Sequence, residues 1–194
     1  MSHHDRVTDE DLLSSARQAD EAAFLRLYER HRAPLFRFAY RMLGSTEAAE
    51  DAVHDCFLSL MSNPERFDAA RASLRTYLYA AVRNLSLKRI RQRTGETALD
   101  DLMEERGEGE EPLRKVLDAE LSEVVRGAVE SLPQLQRESL ILFEYEGLSL
   151  SEIALVVEAD VGTVKSRLHR ARVQLRKLLG AYLESRQETL VVEK

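Results

Sequence analysis

The 194-residue chain contains no tryptophan, one cysteine, four prolines and eight glycines. The single thiol, Cys56, excludes an internal disulfide and fits a reducing compartment. No apolar run approaches the ~18 residues a bilayer-spanning helix needs. The first residues, MSHHDRVTDEDLL, have neither a basic start followed by an apolar stretch nor a small-residue cleavage site. The expectation is a soluble cytoplasmic protein without membrane insertion. Prolines and glycines are too few for a low-complexity chain, and 44% hydrophobic with 32% charged residues suffices for one ordinary domain or two small ones. Without tryptophan, any ring that stacks on a partner belongs to a Tyr or a Phe.

A net charge of −6 argues against a nucleic-acid partner until it is localised. Residues 94–112 hold eight acids (Glu96, Asp100, Asp101, Glu104, Glu105, Glu108, Glu110, Glu111) against Arg106 alone, a net of −7, so the rest of the chain carries +1. Glycines, a proline and few apolar residues mark the same stretch, which reads as a flexible acidic linker over 94–113. Two small helical domains, 8–93 and 114–180, are expected on either side, making the fold all-α. The tail 181–194, with Tyr182, Leu183, Leu190, Val191 and Val192, fits a helix extension, a docking segment or a disordered end.

Residues 148–177, LSLSEIALVVEADVGTVKSRLHRARVQLRK, contain two short helical patterns joined by a tight turn. The second carries six Lys/Arg and no Asp/Glu after Gly162. That is the layout of a helix-turn-helix reading double-stranded DNA. Ser149 and Glu152 form an S-x-x-E capping box for the first helix, Asp160 is placed to cap the second, and Glu158-Ala159-Asp160 make the turn. Val161, Val164, Leu168, Ala171 and Leu175 recur at helical spacing and must face protein. The opposite arc holds Gly162, Thr163, Ser166, His169, Arg170 and Lys177. Gly162 leaves room for a sugar-phosphate backbone, Thr163 and Ser166 offer hydroxyls, and Arg170 can fork onto a guanine edge or a phosphate. Lys165 and Arg167 flank the arc and suit phosphates. A solvated basic helix has the same pattern but does not require the caps and the sharp turn.

In the first half, Phe24, Leu27, Tyr28, His31 and Leu35 predict a helix ending near Gly44, and Ser45 or Thr46 caps a second one through about Met61. The latter buries Ala49, Ala52, Val53, Cys56, Phe57 and Leu60. Its Glu47, Glu50, Asp51, His54 and Asp55 form either a solvated face or a docking surface. After Asn63-Pro64 the charge reverses: residues 66–93 hold eight Lys/Arg against Asp68. A loop over 67–72 precedes a helix with Leu74, Leu78, Ala81, Val82 and Leu85 on its buried face and Thr76, Tyr79, Ala80, Arg83, Asn84 and Leu87 on its exposed arc. Aromatic and basic residues beside a loop suit single-stranded DNA, although Tyr77 and Tyr79 equally fit core or boundary positions.

Several motifs occur in an order that resembles bacterial RNA polymerase sigma factors of the extracytoplasmic-function (ECF) type, over about residues 20–180. Ser131-Leu132-Pro133 through Gln136-Arg137, Glu146-Gly147-Leu148-Ser149, Glu152-Ile153-Ala154 and Val161-Gly162-Thr163-Val164-Lys165-Ser166-Arg167-Leu168 are similar to region four of that family. Ala49-Glu50-Asp51-Ala52-Val53-His54-Asp55-Cys56-Phe57 is similar to its polymerase-holding helix in region two. Ser73-Leu74-Arg75-Thr76-Tyr77-Leu78 with Ala81-Val82-Arg83-Asn84 resembles the segment that opens and grips the minus-ten element. His54, Leu74 and Tyr77 stand where the family usually has Gln, Phe and Trp, which bears on promoter preference. Glu158 replaces the usual turn glycine.

The resemblance implies a transcription initiation factor rather than an enzyme, without a cofactor. Its implied partners are core RNA polymerase, promoter DNA as duplex and non-template strand, and an anti-sigma factor. The implied minus-thirty-five contacts are Gly162, Thr163, Lys165, Ser166, Arg167, His169 and Arg170. Those for minus ten are Phe67, Arg71, Ser73, Arg75, Tyr77, Arg83 and Asn84. Those for polymerase are Glu50, Asp51, His54, Asp55 and Phe57. Two rival classes fit less well. A self-sufficient repressor or activator lacks a long dimerising heptad or a receiver pattern here. A metal-dependent nuclease would have to place Asp100, Asp101, Glu104 and Glu105 on a Gly/Pro-punctuated stretch that offers no rigid scaffold. His54 and Cys56 point to different helix faces, so they do not form a metal pair.

Overall fold

A computed structural model describes residues 7–96 and 113–192, and every regular element among them is helical. α1 (Asp9–Ala16) opens on a capping box between Thr8 and Asp11. α2 (Glu21–Leu43) starts at Asp20, whose carboxylate accepts from the Ala23 N–H at 3.0 Å, and stops at Gly44, where φ of 71° is open to glycine at little cost. Asp9 ties α1 to α2, with its carboxylate 2.7 Å from Nε2 of the buried His31. α3 (Thr46–Ser62) is capped by Ser45 and buries its whole expected stripe from Ala49 to Leu60. A 3-10 turn at Pro64–Arg66 leads through the loop to α4 (Leu74–Glu96).

Helices α1 to α4 close around Leu27, Leu35, Phe38, Leu60, Leu74 and Leu78, all at most 2% exposed. Each such side chain contributes roughly 1.5–3 kcal/mol of transfer free energy. The second group comprises α5 (Leu113–Glu130), α6 (Gln134–Leu140), α7 (Leu150–Val157) and α8 (Val161–Val192). Its core is Leu140, Ile141, Leu142, Leu148, Ile153, Val156, Val164, Leu168 and Ala171. A π segment, Ile141–Tyr145, follows α6 and ends with the Glu146 N–H on the Ile141 carbonyl and Gly147 at φ 65°. This wide turn aims Glu146 back at the first group.

α4 corrects one expectation. Ala80 and Asn84 keep some or all of their exposure, but Thr76, Tyr79, Arg83 and Leu87 are buried. The helix is covered twice, by α2 and α3 on one side and by the α6–α7 region on the other. A single apolar stripe reveals only the first of these. α4 runs to Glu96, so the first three residues of the expected linker are helical, and residues 97–112 lie outside the described residues. α8 continues as one helix through Val192.

Candidate nucleic-acid interface

The helix-turn-helix is specified at each joint by local chemistry. The Ser149 hydroxyl accepts from the Glu152 N–H at 3.2 Å, and the Glu152 carboxylate returns to the Ser149 N–H at 2.8 Å. Those bonds hold the Glu152 carboxyl below its usual range, with the nearby Arg75 charge adding a smaller contribution. α7 stops at Glu158, which sits in the left-handed region at φ 53°, ψ 49°. Asp160 then caps α8 by accepting from the Thr163 N–H at 2.8 Å and from the Thr163 hydroxyl at 2.6 Å, and both bonds depress its pKa.

These caps give Gly162 and Thr163 a structural role that residue type and spacing alone do not reveal. A Cβ on Gly162 would lie 2.9 Å from Oδ1 of Asp160, so glycine there protects the cap as well as leaving the helix start open. The proton of the Thr163 hydroxyl is spent on Asp160, which leaves only an acceptor for any ligand. Lys165, Ser166, His169 and Arg170 are exposed together on one arc of α8. Arg167 turns away from that arc; it is half-buried, and its Nη1 stands 3.5 Å from Oε1 of Glu138 without a hydrogen bond. Beyond the arc, Arg172 donates to Glu144 at 2.6 Å.

At the loop before α4, Asp68 folds the chain by accepting from the Ala70 N–H at 2.9 Å, and Ser73 caps α4 through the Thr76 N–H at 3.2 Å. Phe67 and Tyr77, both half-buried, meet edge to face with ring centres 5.5 Å apart. Burial is the main cause that raises the Tyr77 hydroxyl pKa. Arg71 and Asn84 are exposed, Arg75 is half-buried, and Arg83 is engaged with Glu138. The residues expected at minus ten therefore divide into those bonded to the second group (Arg75, Arg83) and the remainder (Phe67, Arg71, Ser73, Tyr77, Asn84).

On α3, Glu50, Asp51, His54 and Asp55 are exposed along one face. Asp55 already pairs with Arg89 at 2.7 Å. Phe57 differs from the expectation of a partner contact: it is 2% exposed and packs against Phe24 and Tyr28, with centroids at 6.2 and 4.9 Å. A cleft of about 700 Å³ opens between α2 and α3, lined by Tyr28, Arg32, Phe36, Glu50, Asp51 and His54. Its α2 side was missed in the sequence, although Arg32 and Phe36 stand four residues apart on the outer face of that helix. Among the described residues no group of three or more His, Cys, Asp or Glu is placed to hold a metal ion. No described helix is long and apolar enough to cross a membrane.

Two helical groups, one ending in a helix-turn-helix and the other in a basic loop and helix, define a DNA-binding transcription protein. Residues 27–96 match the sigma-70 region 2 family and residues 122–175 match sigma-70 region 4. The ECF RNA polymerase sigma factor SigW of Bacillus subtilis is 31% identical over 86% of this chain and 94% of its own length. SigM of Mycobacterium tuberculosis is 33% identical over 91% of this chain and 87% of its own. The sigma factor RpoE from Bartonella quintana, solved in complex with the anti-sigma factor NepR, superposes with a TM-score of 0.66 at 26% identity, covering 81% of this chain and 96% of RpoE. The chain belongs to the ECF family of RNA polymerase sigma factors. Its function is promoter-specific transcription initiation with core RNA polymerase, and the family consists of initiation factors rather than catalysts.

Proposed function

We propose that this sigma factor works in the cytoplasm through three separate surfaces on two domains, 8–93 and 114–180. The α8 arc of Lys165, Ser166, His169 and Arg170, with Gly162, Thr163 and Arg167 at its margin, reads the minus-thirty-five duplex. The loop and α4 residues Phe67, Arg71, Ser73, Arg75, Tyr77, Arg83 and Asn84 open the minus-ten element and hold its non-template strand. The α3 face of Glu50, Asp51, His54 and Asp55 binds core polymerase, and Phe57 supports that face from beneath. The acidic linker 94–113 complements a basic channel of the polymerase on the path that nascent RNA later needs.

The observation that carries this reading is the exposed, acid-free arc of α8 on a doubly capped helix-turn-helix. An anti-sigma factor is the proposed regulator, as the one bound to RpoE suggests by analogy. Run-off transcription on a library of promoter fragments, with purified core polymerase and with or without this chain, tests the whole. Discrete start sites are expected only when both are present. Tight, specific DNA binding by the chain that core enzyme does not enhance, with no new transcripts, would overturn it.

A further inference from the structure

The loop that carries Phe67 and Arg71 is held firmly at its far end and loosely at its near one. Beyond Phe67, the Asp68 carboxylate accepts from the Ala70 N–H at 2.9 Å and the Asp68 carbonyl from the Arg71 N–H at 3.1 Å. Before Phe67 stands the 3-10 turn Pro64–Arg66, which has no side-chain cap. Its Arg66 N–H reaches the Asn63 carbonyl at 3.1 Å, but the bond that hands the turn on to the loop, from the Phe67 N–H to the Pro64 carbonyl, is 3.4 Å long. That lies beyond the usual range for an amide on a carbonyl. A second donor serves the same oxygen: Nη2 of Arg17 meets the Pro64 carbonyl at 2.5 Å from 47 positions earlier in the chain. Hydrogen bonds from a guanidinium are roughly twice as strong as those between neutral groups.

Arg17 is itself well anchored. It closes α1, and Asp9 clamps the other end of that helix by accepting from Nη1 of Arg30 at 2.5 Å and lying 2.7 Å from Nε2 of His31. Between the two ends, Leu12, Leu13 and Ala16 are buried. After Arg17 the chain turns through Ala19 at φ 66°, a left-handed conformation that a side chain disfavours. The Ala19 and Asp20 N–H groups hold that turn on the carbonyls of Ala16 and Ser15, at 3.1 and 3.2 Å. Backbone strain persists only where the surroundings over-determine it. The guanidinium thus stands on a post fixed at both ends, and the Pro64 carbonyl, three residues ahead of Phe67, rests against it.

We propose that Arg17 is a positioning residue for strand capture: from the end of α1 it fixes the Pro64 turn, and through that turn the approach of Phe67 and Arg71 to the non-template strand. The inference rests on the minus-ten role proposed above for this loop. A loop that is correctly set in only part of the molecules binds its strand more weakly by that fraction.

Arg17→Met keeps the reach of the side chain and removes its donors. In the free chain, hydrogen exchange over residues 66–72 should quicken severalfold while that of α2 and α3 stays unchanged. In holoenzyme, affinity for a single-stranded oligonucleotide carrying a minus-ten sequence selected by that holoenzyme should fall roughly fivefold, as a drop of the competent fraction to one-fifth requires. Core binding and affinity for minus-thirty-five duplex should match the parent. Arg17→Lys, which keeps a charged donor, should recover most of the loss. The salt dependence of oligonucleotide binding should keep its slope. A slope smaller by about 0.7, the value for one phosphate of a single strand, would place Arg17 on the DNA and overturn the positioning role. Unchanged oligonucleotide affinity, with or without a lower melting temperature, would leave the bond a tie between helices and also overturn it. Arg71→Ala, assayed in the same way, tests the minus-ten role of the loop by itself. A loss there without one in Arg17→Met sinks the positioning alone, whereas no loss in either removes the role on which it rests.

Discussion

Glu158 adopts a left-handed backbone, φ 53° and ψ 49°, at the point where the helix-turn-helix changes direction. A side chain in that region costs about 1–2 kcal/mol relative to the right-handed conformation, whereas glycine enters it freely but loses more entropy on folding. Glu158→Gly is therefore expected to raise stability by about 0.5–1 kcal/mol, read as a higher urea midpoint at constant slope. Gly162 provides the opposite case. Alanine in place of an exposed helical glycine normally adds about 1 kcal/mol. At 162 the new Cβ would stand 2.9 Å from the Asp160 oxygen that caps α8, so Gly162→Ala should fail to deliver that gain. A midpoint that rises for Gly162→Ala as much as for an exposed mid-helix substitution would show that the cap simply moves aside.

At the scale of the element, α8 separates positioning from reading. Lys165→Ala should weaken binding of holoenzyme to all promoters and flatten the salt dependence by about one unit of slope, as the loss of one phosphate contact requires. Arg170→Ala should cost ~1–3 kcal/mol on the preferred site and relax a single base position, measured by competition among minus-thirty-five variants. Equal losses on every sequence would reduce Arg170 to a backbone contact. α3 calls for a similar distinction. Asp51 has an exposed side chain on the proposed docking face, while Asp55 is tied to Arg89. Asp51→Lys should reduce core affinity about tenfold or more with the helical circular dichroism intact, whereas Asp55→Lys should lose core affinity and also lower the melting temperature. Indistinguishable behaviour of the two would mean that the Asp55–Arg89 pair contributes nothing to folding. The ends of these helices were legible in the sequence because capping is local: Ser45, Ser149 and Asp160 each act on an N–H three residues on. The exposed arc of α8 was legible for the same reason, since an amphipathic stripe defines its own reverse side. The second covering of α4 was not. Arg83 and Tyr79 meet acids 55 and 67 residues further along the chain, and no periodicity within α4 records a partner at that distance.

For the whole molecule, the charge held in one segment is expected to oppose DNA binding by the free chain. The segment from 94 to 112 carries a net of −7 between two basic stretches of the sequence, and a charge of that kind acts through a field that fades over about 10 Å at 0.1 M salt. Neutralising Asp100, Asp101, Glu104, Glu105, Glu108, Glu110 and Glu111 to their amides should therefore strengthen binding of the free chain to minus-thirty-five duplex at low salt. That advantage over the parent should shrink towards none at about 0.5 M, where the Debye length is only a few ångström. Counterion release weakens both proteins alike, so the ratio of their affinities isolates the field. If the advantage of the neutralised linker is instead constant with salt, the acids act by touching a basic surface directly, and the long-range account of the linker is wrong.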